Sequence, residues 1–161
     1  MLKTIAFLFT AVFLCGVIGC QNARDKETQS ETMFRDYIAS WNTHDLEKIA
    51  SFFTDDCVYD NLAREQTYRG KDQLKGWGKA CFDAIPDFKL DVTSLFASED
   101  LLACEWVMTG TLSGNSPELP ATGKSFSVRG STIVQLKDGK IQRNADYWDL
   151  ATFLRQVGLM K

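Results

Sequence analysis

The chain has 161 residues, of which 45% are hydrophobic, and its 18 Lys and Arg against 21 Asp and Glu leave a formal net charge of −3. A weakly acidic balance without long blocks of like charge argues against nucleic acid as a partner. One histidine and five cysteines without a CxxC pair give no zinc or redox signature, so neither a metal site nor a cofactor is expected.

The N-terminus reads as a secretory leader. Lys3 supplies a positive charge, Ile5 to Phe13 is an apolar run interrupted only by Thr10, and Val17-Ile18-Gly19-Cys20 places a small residue before cysteine. The run is short for a bilayer span, which takes about 20 apolar residues. The Val17–Cys20 stretch resembles the bacterial lipobox, which implies a lipoprotein signal over 1–19, lipidation of Cys20, and a domain anchored to a membrane of the cell envelope on its periplasmic or extracellular face. Cys15 fits less well because bulky Leu14 precedes it. The polar stretch that follows carries no large apolar residue up to Glu31, so 20–31 reads as a flexible tether. Residues 32–161 then suffice for one core.

Met33, Phe34, Tyr37, Ile38 and Trp41 fall on one helical stripe, which Asn42-Thr43 ends. Asp45 can cap a second helix bearing Leu46, Ile49, Ala50 and Phe53. Cys57-Val58-Tyr59 reads as a short strand and Asp60 to Arg69 as a polar loop. A third helix carries Leu74, Trp77, Cys81 and Ile85 on one face and stops at Pro86. Gly76 and Gly78 weaken it, and close packing against a sheet would explain their presence. From Phe88 the period becomes two, with strands expected through Val92, over Leu101–Leu112, over Phe126–Leu136 and over Ile141–Trp148, the last two joined by the Asp138-Gly139 turn. Leu150 to Val157 is a closing helix that ends at Gly158. Helices first and a mainly antiparallel meander afterwards make an α+β fold. Cys57, Cys81 and Cys104 sit among apolar residues and read as buried thiols, with one disulfide left open by an oxidising compartment.

Several stretches resemble, in order and spacing, the SnoaL-like polyketide cyclase (ester cyclase) family of the nuclear transport factor 2-like superfamily. They are Trp41-Asn42-Thr43-His44-Asp45-Leu46, Phe52-Phe53-Thr54-Asp55-Asp56, Tyr68-Arg69-Gly70, Ile85-Pro86-Asp87-Phe88, Pro120-Ala121-Thr122-Gly123-Lys124, Asp138-Gly139-Lys140-Ile141 and Asp146-Tyr147-Trp148-Asp149. The resemblance implies a cone-shaped α+β barrel whose curved sheet and N-terminal helices enclose a pocket, and a homodimer through the outer sheet face. It also implies an aspartate near the end of the last strand as general acid/base in cyclases of this type, a position that Asp149 matches.

A carboxylate in an apolar pocket can take a proton beside a carbonyl and return it, although Asp149 is equally placed to cap the last helix. Asp146, three residues earlier, points to the opposite face of a straight strand. Trp77, Trp106, Met108, Phe126 and Trp148 are candidates to line a cavity for a small hydrophobic molecule. Tyr59 is a candidate hydrogen-bond donor to a developing enolate, as a phenol is in ketosteroid isomerase, an example often used for this chemistry. Some relatives carry a histidine on a pocket-facing strand. His44 lies instead in the turn between the first two helices, where it is expected to help the cap. Arg129 is the cationic alternative, either holding an anionic ligand or pairing with Glu105. Two roles follow for the domain: a binder of a small hydrophobic ligand, or a cofactor-free cyclase, isomerase or dehydratase acting on a carbonyl compound.

Overall fold

The computed structural model describes residues 26–98, 100–114, 116 and 119–161. The signal and Cys20 lie outside the described residues. Among the described residues, no helix is long and apolar enough to cross a membrane.

Helix α1 covers 26–41 and buries Phe34, Tyr37, Ile38 and Trp41, the stripe the spacing predicts. It reaches further back than expected: residues 26–31 are helical, so the flexible tether does not extend to Glu31. Lys26, Glu27, Gln29 and Glu31 are good helix formers, and extending a helix already nucleated on a core is cheap. At the other end, Asn42 acts as a side-chain clip. Its Nδ2 donates to the Leu90 carbonyl at 2.9 Å and its Oδ1 accepts from the Leu90 amide at 2.7 Å, joining the helical turn to strand β3 (Lys89–Ser98). Asp45 caps α2 (Leu46–Ser51) by accepting from the Lys48 amide at 3.0 Å.

Strand β1 runs over Phe53–Asn61, longer than the three residues expected. The expected loop holds a 3-10 turn at Leu62–Arg64 and strand β2 (Gln66–Arg69), which pairs antiparallel with β1. β2 is an edge strand with one aromatic, Tyr68, so its polar sequence gives no alternation to read. Helix α3 (Gly70–Ala84) follows and is capped by Ile85. Strands β4 (Leu101–Leu112), β5 (Lys124–Lys137) and β6 (Lys140–Trp148) complete the meander, and α4 (Leu150–Gln156) closes the fold.

The six strands form one curved, unclosed sheet in the order β2-β1-β6-β5-β4-β3. All pairings are antiparallel except β1 with β6. That parallel pair joins the first strand to the last and lays the N-terminal helices over one face. Cross-strand register then decides which residues look inward. Leu102, Cys104 and Trp106 of β4, Phe126, Val128, Thr132 and Val134 of β5, and Asn144 of β6 are buried. Arg129 on β5 and Tyr147 on β6 have the opposite parity and are exposed. Cys57, Cys81 and Cys104 are buried free thiols.

The two glycines of α3 differ. A methyl at Gly76 would meet nothing within 4 Å, so packing does not account for it. A methyl at Gly78 would lie 2.7 Å from Leu46 Cδ2, so this glycine admits helix α2 rather than the sheet. Gly76→Ala should therefore stabilise the domain by up to about 1 kcal/mol, and Gly78→Ala should destabilise it despite its better helix propensity. Denaturant unfolding of the two variants checks the contrast.

Candidate functional site

Between the helices and the inner face of the sheet lies a cavity of about 280 Å³. Tyr37, Ile38 and Trp41 of α1, Trp77 and Cys81 of α3, Trp106 and Met108 of β4, and Leu150, Phe153 and Leu154 beyond β6 give it a mainly apolar wall. Arg64, from the 3-10 turn, also lines it. The register places one carboxylate inside this wall. Thr132 of β5 lies directly across from Asp146 of β6, and Asp146 is paired on its other side with Asn61 of β1.

Asp146 is gripped by donors from three strands. Tyr59 of β1 donates its hydroxyl to Oδ2 in a very short hydrogen bond. Thr132 Oγ1 donates to Oδ1 at 2.7 Å, and Asn144 Nδ2 donates to the same oxygen at 2.8 Å. Behind these, the Trp106 indole N–H donates to Thr132 Oγ1 at 2.8 Å, fixing the hydroxyl as donor toward the acid. The Tyr37 hydroxyl reaches Asn144 Oδ1 at 3.4 Å, which orients the Asn144 amide with its nitrogen toward Asp146. Gly130 is required here, because a methyl at that position would lie 2.2 Å from the Trp106 ring.

Burial raises the Asp146 pKa above the ordinary carboxylate value, and the bonds from Thr132, Tyr59 and Asn144 oppose the rise. Burial, followed by the neighbouring Asp146 charge, pushes the Tyr59 phenol well above its usual value, so Tyr59 stays protonated and remains a donor. The arrangement is a proton-accepting carboxylate whose basicity is increased by an apolar cavity and whose position is set by three donors.

The model of the SnoaL-like polyketide cyclase family matches residues 31–157. The chain belongs to this family. It is 30% identical over 104 residues to the cyclase aurE of Calcarisporium arbuscula, an alignment spanning 64% of this chain and 74% of that protein. Among solved structures, a protein of Jannaschia sp. CCS1 assigned to the SnoaL-like polyketide cyclases superposes with a TM-score of 0.75 at 17% identity, covering 84% of this chain and 95% of that one. A protein of Catenulispora acidiphila with a ketosteroid isomerase-like fold, solved with trimethylamine, superposes at 0.70 with 22% identity, covering 78% and 92%. These two likenesses concern the fold.

Within this SnoaL-like domain the expected site residues divide. Tyr59, Trp77, Trp106, Met108 and Trp148 line the cavity with Asp146. Asp149 does not. Its side chain is exposed and caps α4, accepting from the Thr152 amide at 2.8 Å and the Thr152 hydroxyl at 2.5 Å. The Thr152 hydroxyl and then its amide hold the Asp149 carboxyl below its ordinary pKa. The register of β6 runs unbroken from Arg143 to Trp148 with Asn144, Asp146 and Trp148 on the inner side, so Asp149, one residue further on, is turned away from the interior.

Phe126 is buried but packs edge-on against Phe153 at 4.8 Å, in the core beside the cavity. Arg129 lies on the outer sheet face, and Glu105 accepts from Ser94 at 2.9 Å instead of pairing with it. His44 takes no part in the Asp45 cap. It adopts positive φ, stacks on Phe82 at 4.2 Å and meets the Phe88 carbonyl through Nε2 at 3.1 Å. Thr132, Asn144 and Arg64 are among the site residues that sequence reasoning missed. The first two carry a signal only once the β1–β6 and β5–β6 registers are known.

Thr132→Val removes a donor to Asp146 and the acceptor of the Trp106 N–H. It should cost about 1–3 kcal/mol of stability and raise the Asp146 pKa further, readable by carboxyl-carbon NMR. An acid whose pKa is raised by folding contributes stability below its unfolded value and loses that contribution as pH rises through the native value. The cost of Thr132→Val should therefore be greater at neutral pH than in acid.

Proposed function

We propose that the cavity binds a small hydrophobic carbonyl compound and that Asp146 is the general acid/base acting on it. The observation that carries this reading is a carboxylate of raised pKa set into an apolar cavity beside a protonated phenol. In the step we envisage, Asp146 takes the proton from a carbon next to the carbonyl. The C–H electron pair becomes the enolate and the proton moves to the carboxylate. The enolate then attacks a second carbonyl of the same molecule to close a ring, or is reprotonated elsewhere to give an isomer. Asp146 returns its proton in either case, so the step balances without a cofactor. Similarity to a protein named as a cyclase supports ring closure over isomerisation.

A second reading, ligand binding without turnover, is favoured by one observation: Asp146 already accepts three hydrogen bonds, as a structural buried carboxylate does. The isosteric Asp146→Asn separates the two, because an amide can keep its oxygen toward Thr132 and Asn144 and turn its nitrogen toward Tyr59. Under the catalytic reading this variant stays folded, retains ligand and loses at least about a hundredfold in the rate of deuterium exchange beside the ligand carbonyl. Exchange unchanged from wild type would leave the domain a binder. Asp149→Ala serves as the contrast, costing about 1 kcal/mol of stability through the lost cap with exchange intact.

We further propose that the domain is exported and held at the cell envelope by lipid on Cys20, supported by Lys3, the Ile5–Phe13 run and Val17-Ile18-Gly19-Cys20. Cys20→Ser should abolish the lipid mass increment on the protein and release it from the membrane fraction, as intact-mass spectrometry and fractionation would read. A second copy of the chain is the proposed partner on the outer sheet face, where Phe96, Leu101, Ile133 and Tyr147 are exposed.

A further inference from the structure

The cavity contains a hydrogen-bond donor that the acid/base network does not use. The Trp106 indole N–H is satisfied by Thr132 Oγ1 at 2.8 Å and the Trp148 indole N–H by Asn61 Oδ1 at 3.0 Å. The Trp77 indole nitrogen is buried and has no hydrogen-bond partner among the described residues. Native proteins leave few buried donors unpaired, and each such donor calls for an explanation.

The Trp77 ring is not free to turn away. It stacks on Tyr68 with centroids 5.4 Å apart and an interplanar angle of 11°, and the Arg64 guanidinium carbon lies 5.5 Å from the ring centre. These contacts hold the indole in place on the cavity wall. The Trp77 N–H belongs to the same cavity wall as Tyr59 and Asp146. It acts on the Tyr59 oxygen enough to offset a small part of the rise in that phenol's pKa, without reaching hydrogen-bond geometry. Tyr59 and Thr132 are both committed to Asp146, whereas the Trp77 donor is uncommitted and pre-positioned.

We propose that the Trp77 N–H seats the carbonyl oxygen of the cavity's ligand, fixing that oxygen at the Tyr59 and Asp146 end of an otherwise apolar chamber. This rests on the reading of the cavity as a ligand site and deepens it. The ligand is an apolar body with an acceptor oxygen at one end, and Trp77 is the residue that discriminates a ketone from a hydrocarbon of the same shape. An oxygen held there brings the carbons beside the carbonyl to the acid's end of the chamber. Trp77 is thus a specificity-determining and orienting residue, while proton transfer belongs to Asp146.

The test uses two small probes of nearly equal shape, acetophenone and α-methylstyrene, in which the carbonyl oxygen is replaced by a methylene. Trp77→Phe keeps an aromatic ring for Tyr68 and removes the N–H donor together with part of the indole's bulk, a loss of surface that both probes share. It should weaken acetophenone about fivefold to tenfold and leave α-methylstyrene within about twofold, the size expected of one hydrogen bond. In the wild type, the indole proton resonance assigned to Trp77 should move downfield with acetophenone and not with α-methylstyrene. Equal losses for both probes, or no ketone-specific movement of that resonance, would overturn the donor role and leave the cavity as a ligand site. Failure of the wild type to bind either probe would overturn the ligand-site reading, and the Trp77 role with it.

Discussion

The buried carboxylate of Asp146 is the constraint around which the rest of the inner sheet is arranged. An unpaired charge in an apolar chamber is costly enough that it must be either neutralised or surrounded by donors. Here the donors come from β1, β5 and β6, and each has its own support behind it. Trp106 fixes the Thr132 hydroxyl, Tyr37 fixes the Asn144 amide, and Gly130 leaves room for the Trp106 ring. Removing any of these would be felt at the acid, although among the described residues only Tyr59, Thr132 and Asn144 donate hydrogen bonds to it.

The network balances two opposing requirements. Donors that hold the carboxylate in place also stabilise its charge and lower its basicity, whereas the apolar wall raises it. With burial the larger influence, the pKa stands above its ordinary value. A tighter set of donors would make a more stable and less basic acid. A looser set would leave the group protonated, or would let the strands part. Tyr59 contributes to both sides, since it donates to the acid and is itself kept protonated by burial and by the acid's charge.

Much of this architecture is legible in the amino-acid order because each element carries its own pattern. Phe34, Tyr37, Ile38 and Trp41 mark α1 by their spacing, and Leu102, Cys104 and Trp106 mark the inner face of β4 by alternation. The site is less legible, since it depends on which strands are neighbours. Parity along β6 separates Asp146 from Asp149, but parity alone does not say which of them faces inward. That follows from the parallel pairing of β1 with β6 and from the cap that Thr152 offers to Asp149. Arg129 is a candidate by residue type and is excluded by the same parity, because its neighbours Val128 and Gly130 take the inner face. β2 is not legible in the sequence because an edge strand needs no apolar alternation.

The pairing of β1 with β6 also has a consequence in time. The hydrogen bond from Tyr59 to Asp146 spans 87 positions of the chain, and the strands that carry its two ends are neighbours only in the finished sheet. Contacts of such separation are slow to close, because more chain entropy is lost in making them than in forming local hairpins and helices. While β6 is still to be added, Tyr59, Thr132 and Trp106 stand on pieces of sheet with no acid between them. The chamber is therefore complete only once β6 is in place, and a chain that stops short of β6 has the donors without the base.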